Sequence, residues 1–408
     1  MNLPSLVPYL RRFATLLREE WFGTSRTLKR LLRQNRYSLT YDGAQFGGLG
    51  WDKLGQALQV SRFVLVGENH GLAQVPAFTQ ALAQRFAPQV YVAELDAYQA
   101  RDLAELVAQP GPPTAYLRQH PGGLAFYSWV EEFELVRELQ AQQVELWGID
   151  QIFLASTGRF YARLAEQARK PVAQAYLQHW AAAYQAQDWA ALQAGTEAFS
   201  IFSQPRSAVE ELLALVQAES PVVQAMAHDY AYSHLLYQQQ LAGTGGHQQR
   251  VNLLKRNLLQ YLLRYQAARG PAWPRMLLKF GAVHLARNLS PLLTGGYYDL
   301  GSLVQHLADV QDEQSLHVFV IGKQGHQAVG AHPDDPTRNS TSYGTDEFPF
   351  LRAFFRLTGT TWEVFDLRPV REVFLSGKLR LPNQNLLRIV LGYDFLVVIP
   401  ETTASQGY

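Results

Sequence analysis

The sequence predicts an α/β protein built on a mainly parallel sheet flanked by helices, with a long helical insertion. Short apolar runs rich in Val and aromatics carry the first part of that expectation: Phe63–Gly67, Val90–Ala93, Val144–Gly148 and Met276–Phe280. Bounded runs of this kind read as buried strands. Helical patterning follows the early ones, at Val75–Phe86, Tyr98–Ala108 and Tyr127–Gln142, as βαβ crossovers require. The insertion is read from Phe153–Leu241, which is rich in Ala, Gln and Leu and has almost no alternating pattern.

The chain divides accordingly. Residues 1–50 read as a basic helical arm, with eight Lys or Arg in Met1–Arg36 against Glu19 and Glu20. A Gly-rich turn, Gly43–Gly50, separates it from the main domain, residues 51–408. That domain includes the helical insert, 153–246, closed by a Gly243–Gly246 break, and a C-terminal β/loop segment, 331–408. A helix over Gln248–Ala268 returns the chain to the sheet. Further strands are expected at Leu316–Ile321, Trp362–Leu367 and Phe395–Ile399, with Gly322–Tyr343 as loop.

Composition narrows the chemistry. A net charge of +1 supplies no general field for nucleic acid, so no nucleic-acid partner is expected. The absence of cysteine excludes disulfides, thiolate metal sites and a cysteine nucleophile. No run approaches the roughly 18 apolar residues of a membrane span, and Arg11 and Arg12 interrupt the apolar Leu3–Leu17 stretch. A cytoplasmic protein is expected. The arm reads as a solvated capping helix, with peripheral contact to an anionic membrane as the alternative. No Gly-x-Ser-x-Gly elbow, phosphate-binding Gly-Lys loop or dinucleotide fingerprint is present.

What remains is a set of carboxylates and imidazoles at strand ends. Phe63–Gly67 runs into Glu68 and His70, Val90–Ala93 into Glu94 and Asp96, Val144–Gly148 into Asp150, and Met276–Phe280 into His284. Parallel strands bring their carboxyl ends to one edge, where open α/β sheets bind ligands. Residues i and i+2 of an extended chain face the same side, so Glu68 can set the basicity and tautomer of His70. Read alone, Gly67–His70 is also a plausible helix cap, and Asp150 serves equally as an orienting residue or a cap. Two Gly-x-x-His motifs at two strand ends, with Glu94 at a third, favour a site. Arg256 could anchor an acidic group or pair with a site carboxylate, with structural pairing as its plainer role. The other nine histidines read as surface, pocket-rim or satisfied core residues.

These residues resemble the superfamily of erythromycin esterase, ChaN-like and Tiki-type proteins. Gly67-Glu68-Asn69-His70-Gly71 is similar to the Gly-Glu…His-Gly opening of the esterase branch. Glu94-Leu95-Asp96 is similar to its second glutamate segment, and Gly148-Ile149-Asp150-Gln151 to its Gly-Phe-Asp strand end. Arg256-Asn257 resembles its Arg/Asn helix, and Phe395–Ile399 with Thr402-Thr403-Ala404-Ser405 its closing strand and tail. The likeness spans Phe63 to Ser405. One residue fewer separates Glu68 from His70 than in most esterases, and Phe280–His284 lacks their His-Asn-x-His pattern. The resemblance implies the fold and three functions. The first is an esterase-type hydrolase in which His70 activates water, Glu68 and Glu94 orient it or share its proton, and His284 stabilises the oxyanion. The second is a Tiki-like hydrolase with His70, Glu94 and His284 around Zn, Mn or Co. The third is a ChaN-like binder of haem or another flat ligand. The first expects no cofactor. A small-molecule substrate is expected, and oligomeric state is left open.

Overall fold

The computed structural model describes residues 26–292, 295–330 and 336–408. Eleven strands lie along this part of the chain: β1 (Arg36–Tyr41), β2 (Phe46–Gly47), β3 (Ser61–Glu68), β4 (Val90–Ala93), β5 (Glu145–Gly148), β6 (Met276–Gly281), β7 (Gln314–Gly322), β8 (Gly325–Ala328), β9 (Ser340–Tyr343), β10 (Trp362–Asp366) and β11 (Phe395–Ile399). Among the described residues nine form one sheet in the order β2-β1-β10-β11-β7-β3-β6-β4-β5. The run from β11 to β5 is parallel, and β10, β1 and β2 extend it antiparallel.

The central strands are buried on both faces, which is why they read as mostly apolar runs. Alternate residues serve different layers. Val64, Val66, Tyr91 and Leu277 pack under helices Gly48–Gln59, Gln74–Phe86, Ala97–Val107 and Val130–Ala141. Phe63, Leu65, Val92 and Leu278 face helices His247–Arg269 and Leu300–Asp309.

Strand order explains the convergence of polar residues. From β3 the chain moves outward to β4 and β5, then returns to insert β6 between β3 and β4. It next crosses to the far side of β3, as β7, so the order reverses there and opens a crevice at the carboxyl edge. Register is set so that Glu68 on β3 stands opposite Gly281 on β6, and Ala93 on β4 opposite Lys279. The residues just beyond β3, β4 and β6 therefore meet.

The insert is helical: Thr157–Gln167, Pro171–Ala194, Ser200–Ser203, Arg206–Val216 and Pro221–Leu241, packed around their own core. Phe153, Leu154, Leu192 and Phe199 reach the carboxyl edge of the sheet and form part of the wall above His70.

Two segments differ from the sequence reading. The arm to residue 50 is not separate over its described part. Helix Arg26–Gln34 packs on helix Arg368–Leu375 and buries Leu28, Leu31 and Leu32 in the same core as residues of β7, β10 and β11, and β1 pairs with β10. The weak signal of β1 reflects an outer strand with a single buried residue, Leu39, among polar neighbours. Residues 1–25 of the arm, with any membrane contact, lie outside the described residues. The expected loop 322–343 contains the β8–β9 hairpin, whose short polar strands resemble loop in composition.

Candidate active site

His70 lies just beyond β3 on a loop that is strapped from two sides. Gly71 has φ +79°, and a Cβ there would lie 2.2 Å from the Ala328 carbonyl oxygen, so this turn requires glycine. Its carbonyl accepts from the Ala328 and Ser405 amides, both at 2.9 Å, and the Ala73 amide donates to Thr403 at 3.0 Å. The hairpin and the Thr-Thr-Ala-Ser tail thus fix where His70 stands. Its ring also stacks on Phe126, with centroids 4.2 Å apart.

Both imidazole nitrogens meet carboxylates. Nδ1 donates to Glu68 Oε1 at 3.0 Å, and Nε2 lies 3.4 Å from Glu94 Oε2. Burial alone would lower the His70 pKa, but Glu68 and Glu94 outweigh it and raise it to about 10. Burial works against ionised Glu94 as well, yet His70, His284 and Arg250 hold its carboxyl well below the usual range.

Glu94 is the hub. The Gly281 amide donates to its Oε2 at 2.7 Å, and Arg250 to its Oε1 at 3.0 Å. Gly281 leaves room for this, since a Cβ there would come within 3.0 Å of His70 Nε2. Arg250 also grips Asp150, through Nε to Oδ1 at 2.9 Å and a second bond to Oδ2. On the far side of Glu94, His284 Nε2 stands 3.6 Å from Oε1, and its Nδ1 donates to Asp299 at 2.9 Å. His247 stacks toward His284 with ring centroids 6.0 Å apart.

Behind His70, Lys279 Nζ donates to Glu68 at 2.5 Å and to Glu132 at 2.6 Å. Burial would raise the Glu68 carboxyl, but Lys279 and His70 together hold it below its usual range. Glu132 is pushed up to about 7, chiefly by burial and further by the Glu68 charge, against the pull of Lys279.

The four residues expected at the site, Glu68, His70, Glu94 and His284, therefore lie together at the carboxyl edge. Exposure separates them. The His70 side chain is 29% exposed and lines a 410 Å³ cavity, whereas that of His284 is 2% exposed and sits behind Glu94. Glu94, Arg250 and Asp150 line an adjoining 240 Å³ cavity.

Asp96 is a cap: its Oδ1 accepts from the Tyr98 and Gln99 amides at the start of helix Ala97–Val107, and Oδ2 from the Phe153 amide. Burial raises its pKa to about 7 against those bonds. Arg256 pairs with no site carboxylate; its guanidinium lies over the Tyr232 ring. The pairing expected of it belongs to Arg250. Helix His247–Arg269 leads into β6 and so starts near the carboxyl edge, which puts its first turn, not its middle, at the site. That rule of direction is the sequence signal that points to Arg250 and His247.

His70, Glu94 and His284 fit a metal poorly. Glu94 already spends its oxygens on an arginine and a backbone amide. Among the described residues no three His, Cys, Asp or Glu side chains are grouped to hold an ion.

The fold can be set beside solved structures. A succinoglycan biosynthesis protein aligns with TM-score 0.58 at 12% identity, covering 94% of this chain and 99% of its own. An erythromycin esterase, a histidine-to-asparagine mutant in its open conformation, aligns with TM-score 0.53 at 15% identity, covering 87% of this chain and 94% of its own. The chain therefore shares the α/β fold of these two solved proteins. A Bacillus cereus protein aligns with TM-score 0.56 at 14% identity, covering 94% of this chain and 99% of its own. No family model and no curated protein matches the sequence. Among the described residues no helix is long and apolar enough to cross a membrane.

Proposed function

We propose that the protein is a hydrolase that cleaves an ester or related bond with a water activated at His70. The observation that carries this reading is a partly exposed imidazole held between two carboxylates on a cavity wall. Glu68 fixes the Nδ1 proton, so Nε2 is the nitrogen that exchanges a proton with the reacting water. Glu94 stands beside Nε2, aimed by the Gly281 amide and Arg250.

With its pKa raised to about 10 by the two carboxylates, His70 is held mainly in its protonated form at pH 7. The 3.4 Å contact to Glu94 is the looser of the two carboxylate contacts. Water and substrate at Nε2 would separate that pair, removing one of the charges that raise the imidazole and returning it toward its ordinary basicity. His70 then accepts the water proton as the ester carbonyl carbon is attacked, and returns it to the leaving alkoxide. In this reading Arg250, the cation on the cavity wall, faces the developing oxyanion, and His284 positions Glu94 from behind. The chemistry needs no resident metal, consistent with the engaged oxygens of Glu94.

The test is hydrolysis of a panel of carboxylic esters by the full chain and by His70→Asn. An ester turned over by the parent and lost in the variant is the expected result. Equal rates in a folded variant would remove His70 from the chemistry.

A further inference from the structure

Two cavities of opposite character meet at the candidate site. The 410 Å³ cavity carries His70 on its wall and is otherwise lined largely by Phe126, Trp129, Phe153, Leu154, Leu192 and Phe199. Such a lining loses water readily to an apolar group, and its volume suits a small ligand. The 240 Å³ cavity carries Glu94, Asp96, Asp150, Arg250, Gln99 and Gln151. Phe126, Phe153 and Leu154 belong to both, so the two share a partition, and the 3.4 Å gap between His70 and Glu94 spans the junction.

The polar cavity is short of donors. Gln99 and Gln151 are 3% and 7% exposed, yet among the described residues Oε1 of each has no hydrogen-bond partner. A buried carbonyl oxygen left unpaired is destabilising, so each is best accommodated where a ligand supplies the missing donor. The Gln99 amide nitrogen is committed to the Gly122 carbonyl at 3.1 Å, which keeps its oxygen turned away from that bond. Asp96 is engaged by the Tyr98, Gln99 and Phe153 amides, Asp150 by Arg250 and the Gln151 amide, and Arg250 by Asp150 and Glu94, so the two glutamine oxygens are the acceptors this wall leaves open.

We infer that the ligand is amphipathic, with an apolar arm in the cavity beside His70 and a hydroxyl-bearing arm in the acceptor-rich cavity beside Glu94. An ester joining a medium-length acyl chain to a polyol such as a sugar has this shape, with its scissile bond at the junction. Hydrolysis of it consumes one water and releases the free acid and the polyol. Turnover of such an ester rests on the hydrolase reading above; binding does not.

The experiment begins with calorimetric titration of the full chain by octyl glucoside, methyl glucoside and octan-1-ol. Octyl glucoside is expected to bind at least about tenfold more tightly than either of the others, since it alone fills both cavities. Leu192→Trp, which narrows the apolar cavity, should remove its advantage over methyl glucoside. Gln151→Leu, which removes an acceptor, should reduce its advantage over octan-1-ol. Val329→Trp, on an exposed wall of the same cavity, replaces Leu192→Trp should that variant not fold. Octyl glucoside that fails to bind, binds no better than either probe, or ignores both wall substitutions overturns the inference.

Hydrolysis of 6-O-octanoylglucose and 6-O-acetylglucose then separates the two readings. Tight octyl glucoside binding without turnover of either ester would overturn the hydrolase and leave the amphipathic site standing. Turnover of both esters at equal kcat/KM, without the binding preference, would do the reverse.

Discussion

His70 and His284 are reached by the same short motif, a glycine three residues upstream at the end of a parallel strand, yet the protein treats them differently. His70 stands on a cavity wall, with a carboxylate at each nitrogen and a phenyl ring against its face. His284 is enclosed, fixed by Asp299 on one side and pointed at Glu94 on the other. The cause is the path the chain takes on leaving each strand. Beyond β3 it loops through Gly71 under the β8–β9 hairpin, leaving His70 at the surface of the crevice. Beyond β6 it turns directly into the short helix Ala282–Leu285, which carries His284 down against helix Leu300–Asp309 and its cap Asp299. A shared motif therefore marks the edge of the sheet, while access decides which histidine can meet a substrate.

That contrast is broken most directly at His70. His70→Asn should lower turnover of an ester substrate by about 10²–10⁴-fold, because an amide keeps the shape but cannot take a proton. The variant should retain the parental circular dichroism, since the residue contributes little to core burial. Parental kcat in a folded variant would place the base elsewhere, with Glu94 next in line.

Lys279 offers the second test, on the stability side. Its ammonium is buried between Glu68 and Glu132, so Lys279→Met leaves two carboxylates without their shared cation. Breaking a buried ion pair in this way costs about 3–5 kcal/mol, and urea unfolding should show a loss of that order. Glu132→Gln, which keeps a hydrogen-bond acceptor for Lys279 and whose carboxyl is already pushed to about 7, should cost clearly less. A Lys279→Met protein as stable as the parent would mean that Glu68 is not held in place by this lysine, and the support of His70 would need another source.

Much of this arrangement is legible in the chain itself. The runs at β3, β4 and β6 are buried on both faces, so each stands out as a mostly apolar block, the edge strand β5 does so through Leu146 and Trp147, and the polar residue after each block marks a strand end. The partners of the site are not legible, for reasons that differ. Lys279 looks like a lone interruption of Met276–Gly281, although an ammonium in a doubly buried strand demands carboxylate partners and leads to Glu68. Glu132 and Asp299 sit at the starts of helices in positions where a carboxylate is ordinary. Only long-range packing reveals their further contacts, Glu132 with Lys279 and Asp299 with His284. β1 and the β8–β9 hairpin escape a sequence reading because short strands with so few buried residues carry almost no periodic signal.

Asp299→Asn sharpens the comparison at the enclosed histidine. If His284 works by positioning Glu94, loss of the carboxylate that orients it should reduce kcat by about 10–100-fold, as for other groups that orient a reacting residue, with KM nearly unchanged. Asp299→Glu should recover part of that loss, and the pH profile of kcat/KM should shift because Glu94 and His70 share a contact. A change in thermal stability alone, with kcat and the pH profile unmoved, would reduce the His284–Asp299 pair to a structural role.

The smallest effect distinguishes two buried environments through pH. The His70 pKa is raised from 6.5 to about 10, whereas that of His317 is lowered to about 3 by burial and the nearby Arg287 charge. His317 is satisfied as a neutral ring, with Nδ1 donating to the Leu285 carbonyl at 2.7 Å and Nε2 beside Ser315 Oγ at 2.9 Å. A group whose folded pKa is raised binds its proton more tightly when folded, so its stabilising contribution is complete below about 6.5 and fades as pH climbs through about 10. For His317 the sign reverses: the folded protein resists protonation, so stability falls as pH drops below about 6.5 toward 3. The stability gap between parent and His70→Gln should therefore narrow from about pH 6 to about pH 10.5, and the gap between parent and His317→Gln should narrow from about pH 7 to about pH 4. Urea midpoints at those four pH values, read with the slope held fixed, test both. A His70→Gln gap that stayed constant across its whole range would mean that the two carboxylates do not hold a proton on His70, and the opening of the Glu94 pair at Nε2 would drop out of the mechanism.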